Sequence, residues 1–302
     1  MYFACSPPNR DTLSSELIAS FQKVSLAFGG LLQLYAIVDA GFESPLARWA
    51  RNHGVSIGEK SSLAAIKNHL PFVIPLSEAP SAREVSRLIG AAKRSPMISF
   101  VASRSDATKL VRDLQALLVA HTDDGMRWPL RFADTRVLPV FLGELAHAES
   151  RHVLTTDIHA WWWPRRDGQL DAFLNTATAK PAAPTNRHLE LSDRQFDHMM
   201  NAAMPDSVIA RLHQACPDIL DLYAPHENHG RVSAALEVLI SKGFDSAELQ
   251  LRWAALALSF RQTLEDIPEL VAALAEAPSD GDLLARIDQL PDEVWAAQDV
   301  TP

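Results

Sequence analysis

The stretch LLQLYAIV, from Leu31 to Val38, is a compact apolar run rich in strand-forming residues. Gly29 and Gly30 precede it and Asp39 follows it, so its length is that of a buried strand rather than of a helix. On its N-terminal side, apolar residues recur every three or four positions from Leu13 to Phe28, which predicts a helix. A strand that is apolar throughout is typical of a sheet whose two faces are both covered.

Similar apolar runs alternate with helical patterns as far as Trp163. Further strands are predicted at Phe72–Leu76, Met97–Ala102, Leu130–Ala133 and His152–Trp163. Between them, helices are predicted to begin at the N-cap Ser44 and at the capping box of Ser81 and Glu84, and one helix is predicted over Asp106–His121. This alternation predicts an α/β N-terminal lobe with a largely parallel or mixed sheet flanked by helices.

The sequence after the exposed connector Lys180–Asn186 has helical periodicity only, which predicts an all-α C-terminal lobe. Ser192 and Gln195 form a second capping box. Met199, Met200 and Met204 follow at helical spacing. They are either ordinary core residues or a stripe of flexible side chains that binds a partner. The predicted organisation is an N-terminal leader and helix (1–30), an α/β lobe (31–188), a helical lobe (189–276) and an acidic C-terminal tail (277–302).

The net charge of −9 is concentrated at the C-terminus, where Thr263–Pro302 holds ten acidic residues and one basic residue. Residues 1–262 are neutral, with 27 of each sign. A nucleic-acid-binding protein needs a basic stripe for phosphate contacts, so no nucleic-acid partner is expected. The sequence has no apolar window long enough for a bilayer and no secretory signal pattern, and its two cysteines suit a reducing cytosol. We therefore expect a cytoplasmic protein without a membrane partner.

Motifs for catalysis, cofactors and metals are few. Neither glycine-rich phosphate-binding loop occurs, so no cofactor is expected. The segment GVSIG, from Gly54 to Gly58, matches the nucleophile-elbow pattern around Ser56. However, a helix rather than a strand is predicted before it, which makes Gly54 a helix C-cap. We expect no enzyme, with an α/β hydrolase using Ser56 as the alternative. No metal site is expected either, because zinc-ligand spacing is lacking among His147, His152, Cys216, His226 and His229.

Three consecutive tryptophans, Trp161, Trp162 and Trp163, lie in a predicted strand. Alternate residues of a strand face opposite sides, so at least one of them leaves the core if only one face of the sheet is covered. Exposed tryptophan is enriched at binding hot spots, which makes these residues candidates for binding a partner. If helices cover both faces, all three belong to the core.

Three segments together carry a resemblance to a known family: LYAIVDA (Leu34–Ala40), FVIPL (Phe72–Leu76) and LRFADTRVL (Leu130–Leu138). They resemble the effector-chaperone (adaptor) proteins of bacterial type VI secretion systems, which share a domain first labelled as of unknown function. Thr135 departs from the pattern, because the family usually has proline there. Ile158–Trp161 resembles the strand that follows. The resemblance covers roughly residues 31–205. It implies a cytosolic, non-enzymatic protein that binds a toxic effector and helps to load it onto the VgrG spike.

The resembling segments contain four charged residues that we take as candidate partner-binding residues: Asp39, Arg131, Asp134 and Arg136. In α/β sheets ligands gather at the carboxyl ends of strands, where these residues are predicted to lie. They either border a cleft between the lobes that holds the effector, or pair internally and fix a strand–helix turn, because buried charges persist chiefly when paired. The acidic tail is a candidate for docking basic effector segments. A toxin-neutralising binding protein is a further alternative function.

Overall fold

The computed structural model describes residues 2–147, 157–175 and 189–296. The chain divides into two compact units by its internal contacts. Pro7–Ala202 form one, here called the sheet unit, and Met1–Ser6 with Ala203–Pro302 form the other, the helical unit. In the described part of the chain, no helix combines the length and the apolar character needed to cross a membrane.

The described residues of the sheet unit form nine strands. They are β1 (Gln33–Val38), β2 (Val55–Ser56), β3 (Phe72–Pro75), β4 (Ile98–Ser103), β5 (Val119–Thr122), β6 (Arg127–Pro129), β7 (Ile158–Pro164), β8 (Leu170–Leu174) and β9 (Leu189–Leu191). Six of them form one sheet in the order β2-β3-β1-β4-β7-β8, and every pairing within it is antiparallel. The order β6-β5-β9 makes a small mixed sheet.

The prediction of a largely parallel or mixed main sheet is wrong, although α2 and α3 each connect strands that run in the same direction, as helices do in a parallel sheet. Strands β3 and β4 run in the same direction and are joined by α3 (Ala82–Ala92), but β1 lies between them and runs the opposite way. Strands β1 and β2 are joined in the same manner by α2 (Pro45–His53), with β3 between them. Each crossover thus skips one strand, and neighbouring strands are antiparallel. Strand–helix alternation in the sequence does not reveal this insertion.

Two local predictions are also corrected. The chain from Leu130 to Ala133 is not a strand but the start of a turn segment that follows β6. The helix predicted over Asp106–His121 ends early, at Gln115, as α4 (Ala107–Gln115), and the chain continues into β5. In β5 alternate residues are buried, the period of a half-buried strand rather than of a helix.

Several predicted helix boundaries are confirmed. The Ser44 hydroxyl accepts a hydrogen bond from the Ala47 N–H at 3.0 Å, and Gly54 ends α2 with its N–H on the Ala50 carbonyl. The capping box of Ser192 is complete, because its N–H donates to the Gln195 side chain while its hydroxyl accepts from the Gln195 N–H. That of Ser81 is half made, since the Glu84 carboxylate accepts from Ser77 instead.

Helices cover both faces of the main sheet at β7. Trp161 and Trp163 belong to the core on the face that also contains residues of α4 and of α5 (Leu138–His147). Trp162 faces the other side, where its indole N–H donates to the Ser20 hydroxyl of α1 (Arg10–Ala27) at 3.0 Å. The Trp161 N–H donates to the Ser99 hydroxyl of β4 at 2.9 Å. The three indoles are therefore core residues.

The helical unit is built from amphipathic helices, as the sequence after the connector predicts. Helix α6 (Asp193–Ala215) contains Pro205 and includes the boundary between the units. The others are α7 (Pro225–Ser241), α8 (Ala247–Ser259), α9 (Pro268–Glu276), α10 (Asp280–Asp288) and α11 (Asp292–Ala296). Short 3₁₀ segments lie at Pro217–Asp221 and Leu264–Asp266 in this unit, and at Ala64–His69 in the sheet unit.

The acidic C-terminal segment, Thr263–Pro302, which includes the predicted tail 277–302, is folded as far as the structure describes it, to residue 296. Its apolar residues Leu283, Ile287, Leu290 and Val294 are buried in the core of the helical unit. Two of its exposed carboxylates form ion pairs, Asp288 with Arg252 and Glu276 with Arg286. Removing this segment would therefore remove part of a hydrophobic core together with the charge.

The burial of Trp161 makes a direct prediction about stability. Trp161→Ala is expected to lower the free energy of unfolding by about 3–5 kcal/mol, because it leaves a large cavity and an unpaired Ser99 hydroxyl. Trp49→Ala is the matched control, since the Trp49 side chain is 38% exposed, and it should cost less than about 1 kcal/mol. Urea unfolding followed by far-ultraviolet circular dichroism measures both. Equal losses for the two variants would contradict the burial of Trp161 in the core.

Candidate functional site

Asp39 begins the candidate site, directly after β1. Its N–H donates to the Met97 carbonyl at 2.8 Å, and its side chain is 2% exposed. One carboxylate oxygen, Oδ1, accepts the Gly41 N–H at 2.8 Å, and the other, Oδ2, accepts Nη2 of Arg131 at 2.8 Å. A Cβ on Gly41 would lie 3.0 Å from Oδ1 and 3.1 Å from Nη2, so this turn has little room for a side chain.

Arg131 meets Asp39 from a different part of the chain, 92 residues later. Its guanidinium carbon also lies 4.8 Å from the centre of the Phe42 ring, in a cation–π arrangement. The Arg131 side chain remains 51% exposed. A buried carboxylate and an aromatic face therefore hold an arginine whose outer half is in water.

Asp134 and Arg136 form a second pair within the same turn segment. The Asp134 carboxylate accepts Nε of Arg136 at 3.0 Å and Nη2 at 2.7 Å, a bidentate arrangement, and it also accepts the Arg136 N–H. Asp134 is 2% exposed and Arg136 is 18% exposed. The backbone carbonyl of Asp134 accepts the first N–H of α5, from Leu138. This pair joins the turn to the start of the helix.

The four charged candidates therefore make two internal ion pairs, and a role for them in binding a partner stays a prediction. Their turn segment is held in the core by Phe132, whose ring lies 6.0 Å from Trp161 and 6.2 Å from Phe141. Thr135 is the position at which the segment departs from the pattern that it resembles. Its N–H donates to the Pro96 carbonyl at 2.9 Å, a bond that proline could not make.

Burial raises the pKa of Asp39 above its usual range. The Arg131 charge and the hydrogen bonds from Gly41 and Arg131 oppose this rise, and the neighbouring Asp134 charge adds to it. Burial also raises the pKa of Tyr35, the tyrosine of the resembling LYAIVDA segment, whose hydroxyl donates to the Ser105 carbonyl at 2.6 Å. Tyr35 thus holds β1 to the end of β4.

The remaining predicted residues do not join this site. Burial of all three tryptophans leaves Trp161, Trp162 and Trp163 without surface for a partner. Of the methionine stripe, Met199 is buried in the sheet unit, Met204 packs in the helical unit, and Met200 is 55% exposed.

Ser56 lies in β2, directly after α2 rather than at a strand-to-helix turn. Its hydroxyl donates to the Lys67 carbonyl at 3.3 Å and accepts the Gly58 N–H at 3.2 Å. Among the described residues, no group of three or more histidine, cysteine, aspartate or glutamate side chains is placed to hold a metal ion. His152 lies outside the described residues.

Sequence reasoning missed Phe42 as a member of the site. Its signal is weak, because its contact with Arg131 joins residues that are far apart in the sequence. It also missed an exposed groove between α2 and α3 that contains Trp49. The sequence signal for this groove is a tryptophan, Trp49, on a short helix that has no acidic residue.

Replacing Arg131 should destabilise the chain in a pH-dependent way. Arg131→Met leaves the Asp39 carboxylate buried and unpaired, and we expect a loss of about 2 kcal/mol near neutral pH, below that of a fully buried pair because half of the guanidinium is in water. The pKa of Asp39 should rise further in this variant. Because a raised carboxyl pKa means that stability falls as the pH rises through that pKa, the loss should be larger at about pH 8 than at about pH 5.

Arg165→Met is the control for this measurement. Arg165 is 52% exposed, as Arg131 is, but the Asp167 carboxylate that it pairs with is 23% exposed. The control should lose less than about 1 kcal/mol at either pH. Urea unfolding of both variants at the two pH values would contradict the account if the Arg131→Met loss did not change with pH.

Comparison with known proteins finds one family. The family model described as a domain of unknown function (DUF4123) matches residues 34–152, which is less than half of the chain. The matched range runs from β1 through α5 and contains both ion pairs of the site. No curated protein and no solved structure matches the chain. Residues 34–152 are thus similar to a domain whose description assigns no function.

Proposed function

We propose that this protein is a cytosolic chaperone or adaptor that binds a type VI secretion effector, stabilises it and promotes its loading onto the VgrG spike. The observation that carries the proposal is the coincidence of two ranges. The three segments that resemble the effector chaperones lie within, or at the start of, the range that the DUF4123 family model matches. The same range holds the Asp39–Arg131 and Asp134–Arg136 pairs.

The geometry of Arg131 supports a binding role. Arginine is enriched at binding hot spots, and an arginine that is already held in place loses less side-chain entropy when a partner binds. The Arg131 side chain is held by Asp39 and Phe42, and its exposed half remains open to an acidic group of the effector. In this proposal Arg131 contacts the effector, while Asp39, Asp134 and Arg136 position the turn.

Co-expression with the products of adjacent genes tests the proposal. We expect affinity purification of the tagged chain to recover a large toxin-like protein. This protein should be soluble only when the chain is present. Mass spectrometry identifies it. Arg131→Lys keeps the positive charge beside Asp39 but loses the planar guanidinium, so recovery should fall at least about fivefold. Arg165→Lys should leave recovery unchanged. Recovery of the chain alone, with its neighbours' solubility unaffected, would contradict the proposal.

The acidic segment is a second contact in this proposal, directed at basic regions of the effector. Its exposed carboxylates sit on a folded, buried core, so they must be tested by neutralisation and not by deletion. The triple change Glu265→Gln, Glu269→Gln and Glu293→Gln should weaken effector binding and flatten its dependence on salt. The matched control removes three exposed glutamates of the sheet unit, Glu16, Glu43 and Glu78. If both triple variants bind with the same salt dependence, the acidic segment has no such role.

A further inference from the structure

A groove of about 600 Å³ lies in the sheet unit between α2 and α3, over the end of β3. Its floor is formed by Ile74, Pro75 and Leu76, and its walls are mostly apolar: Pro45, Leu46, Trp49, Leu88 and Ala91. The Trp49 ring is 38% exposed and stacks on His53, with ring centres 4.8 Å apart. Exposed tryptophan in an apolar concave surface is typical of a binding site.

The floor of the groove disfavours an extended ligand. Strand β3 pairs with β2 only at Phe72 and Val73, so its outer edge is open from Ile74 onward. The Leu76 N–H points inward, to the Leu34 carbonyl at 3.0 Å, so the next outward N–H position along the strand belongs to Pro75, which has none. An added strand would find no donor there, whereas a helix satisfies its own backbone and needs only apolar walls.

One charged side chain of each sign, Arg87 and Glu84, lines the groove. The two helices that flank it, α2 and α3, together carry four arginines and one glutamate, in a chain whose net charge is −9. The Glu84 carboxylate accepts hydrogen bonds from the Ser77 N–H and hydroxyl, at 3.1 and 2.7 Å. Within the described residues, no carboxylate forms an ion pair with Arg48, Arg83 or Arg87. The groove thus complements a ligand with an apolar face and acidic flanks.

We propose that the α2/α3 groove binds an amphipathic helix of a partner protein, with apolar residues at i, i+3, i+4 and i+7 and acidic residues beside them. Trp49 and Leu88 contact the apolar face of that helix, and Arg87 contacts its carboxylates. This inference rests on the proposed function only in taking the partner to be the effector.

The probe for the test is a fluorescein-labelled helical peptide of about 18 residues, with leucine at the four spaced positions and glutamate on the polar face. Fluorescence polarisation with the full-length chain should show saturable binding that weakens with salt. A lysine counterpart of the peptide, and a scrambled peptide of the same composition, should each bind at least about tenfold more weakly. Trp49→Ala and Arg87→Glu should each weaken binding of the acidic peptide at least about tenfold. Arg112→Glu, an exposed arginine on α4, is the control and should have no effect.

Several results would overturn the inference. They are absence of binding by the acidic helical peptide, equal binding by the lysine or scrambled peptide, and full binding by Trp49→Ala and Arg87→Glu. Self-association of the chain that Trp49→Ala abolishes, measured by analytical ultracentrifugation, would make a second copy the occupant and also overturn it.

The effector co-purification separates this inference from the proposed function. If Trp49→Ala and Arg87→Glu recover the effector and bind the acidic peptide as the unaltered chain does, the groove inference fails and the adaptor function stands. If the unaltered chain recovers no effector but binds the acidic peptide through Trp49 and Arg87, the adaptor function fails and the groove inference stands.

Discussion

The Asp39 carboxylate is buried at the end of the central strand. The groups around it pair with its charge and donate hydrogen bonds to it. A buried carboxylate is costly unless it is paired and hydrogen-bonded. The Gly41 N–H and the Arg131 guanidinium supply those bonds. Because Arg131 lies far along the chain, this requirement fixes the turn segment before α5 against the end of β1. Phe132 then ties the same segment to Trp161 in the core.

The order of the strands places both surfaces that we propose for binding. Since each crossover skips one strand, β1 occupies the centre of the sheet and β3 is displaced toward its edge. The end of β1 thereby becomes the anchor of the Arg131 site. The poorly paired edge of β3, flanked by α2 and α3, becomes the floor of an apolar groove. Both surfaces lie in the range that the DUF4123 family model matches.

Individual residues show which features of the fold the sequence predicts and which it does not. Ser44 and Gly54 are correctly predicted as the ends of α2, because capping depends on side chains within a few residues. The sequence does not decide whether the three tryptophans belong to the core or the surface, since periodicity in one strand does not say what covers its second face. The prediction of a largely parallel or mixed sheet is wrong because strand–helix alternation is the same whether or not another strand lies between the two that are joined.

Four local features follow from the sequence: the buried strand at β1, several helix boundaries, the helices after the connector and the concentration of acidic residues at the C-terminus. Each of these depends on residues that are neighbours along the chain. Four others are visible only in three dimensions: the strand order, the pairing of Asp39 with Arg131, the burial of the acidic segment's apolar residues and the groove beside Trp49. Those features depend on contacts between residues far apart in sequence, whose pairing one sequence does not specify.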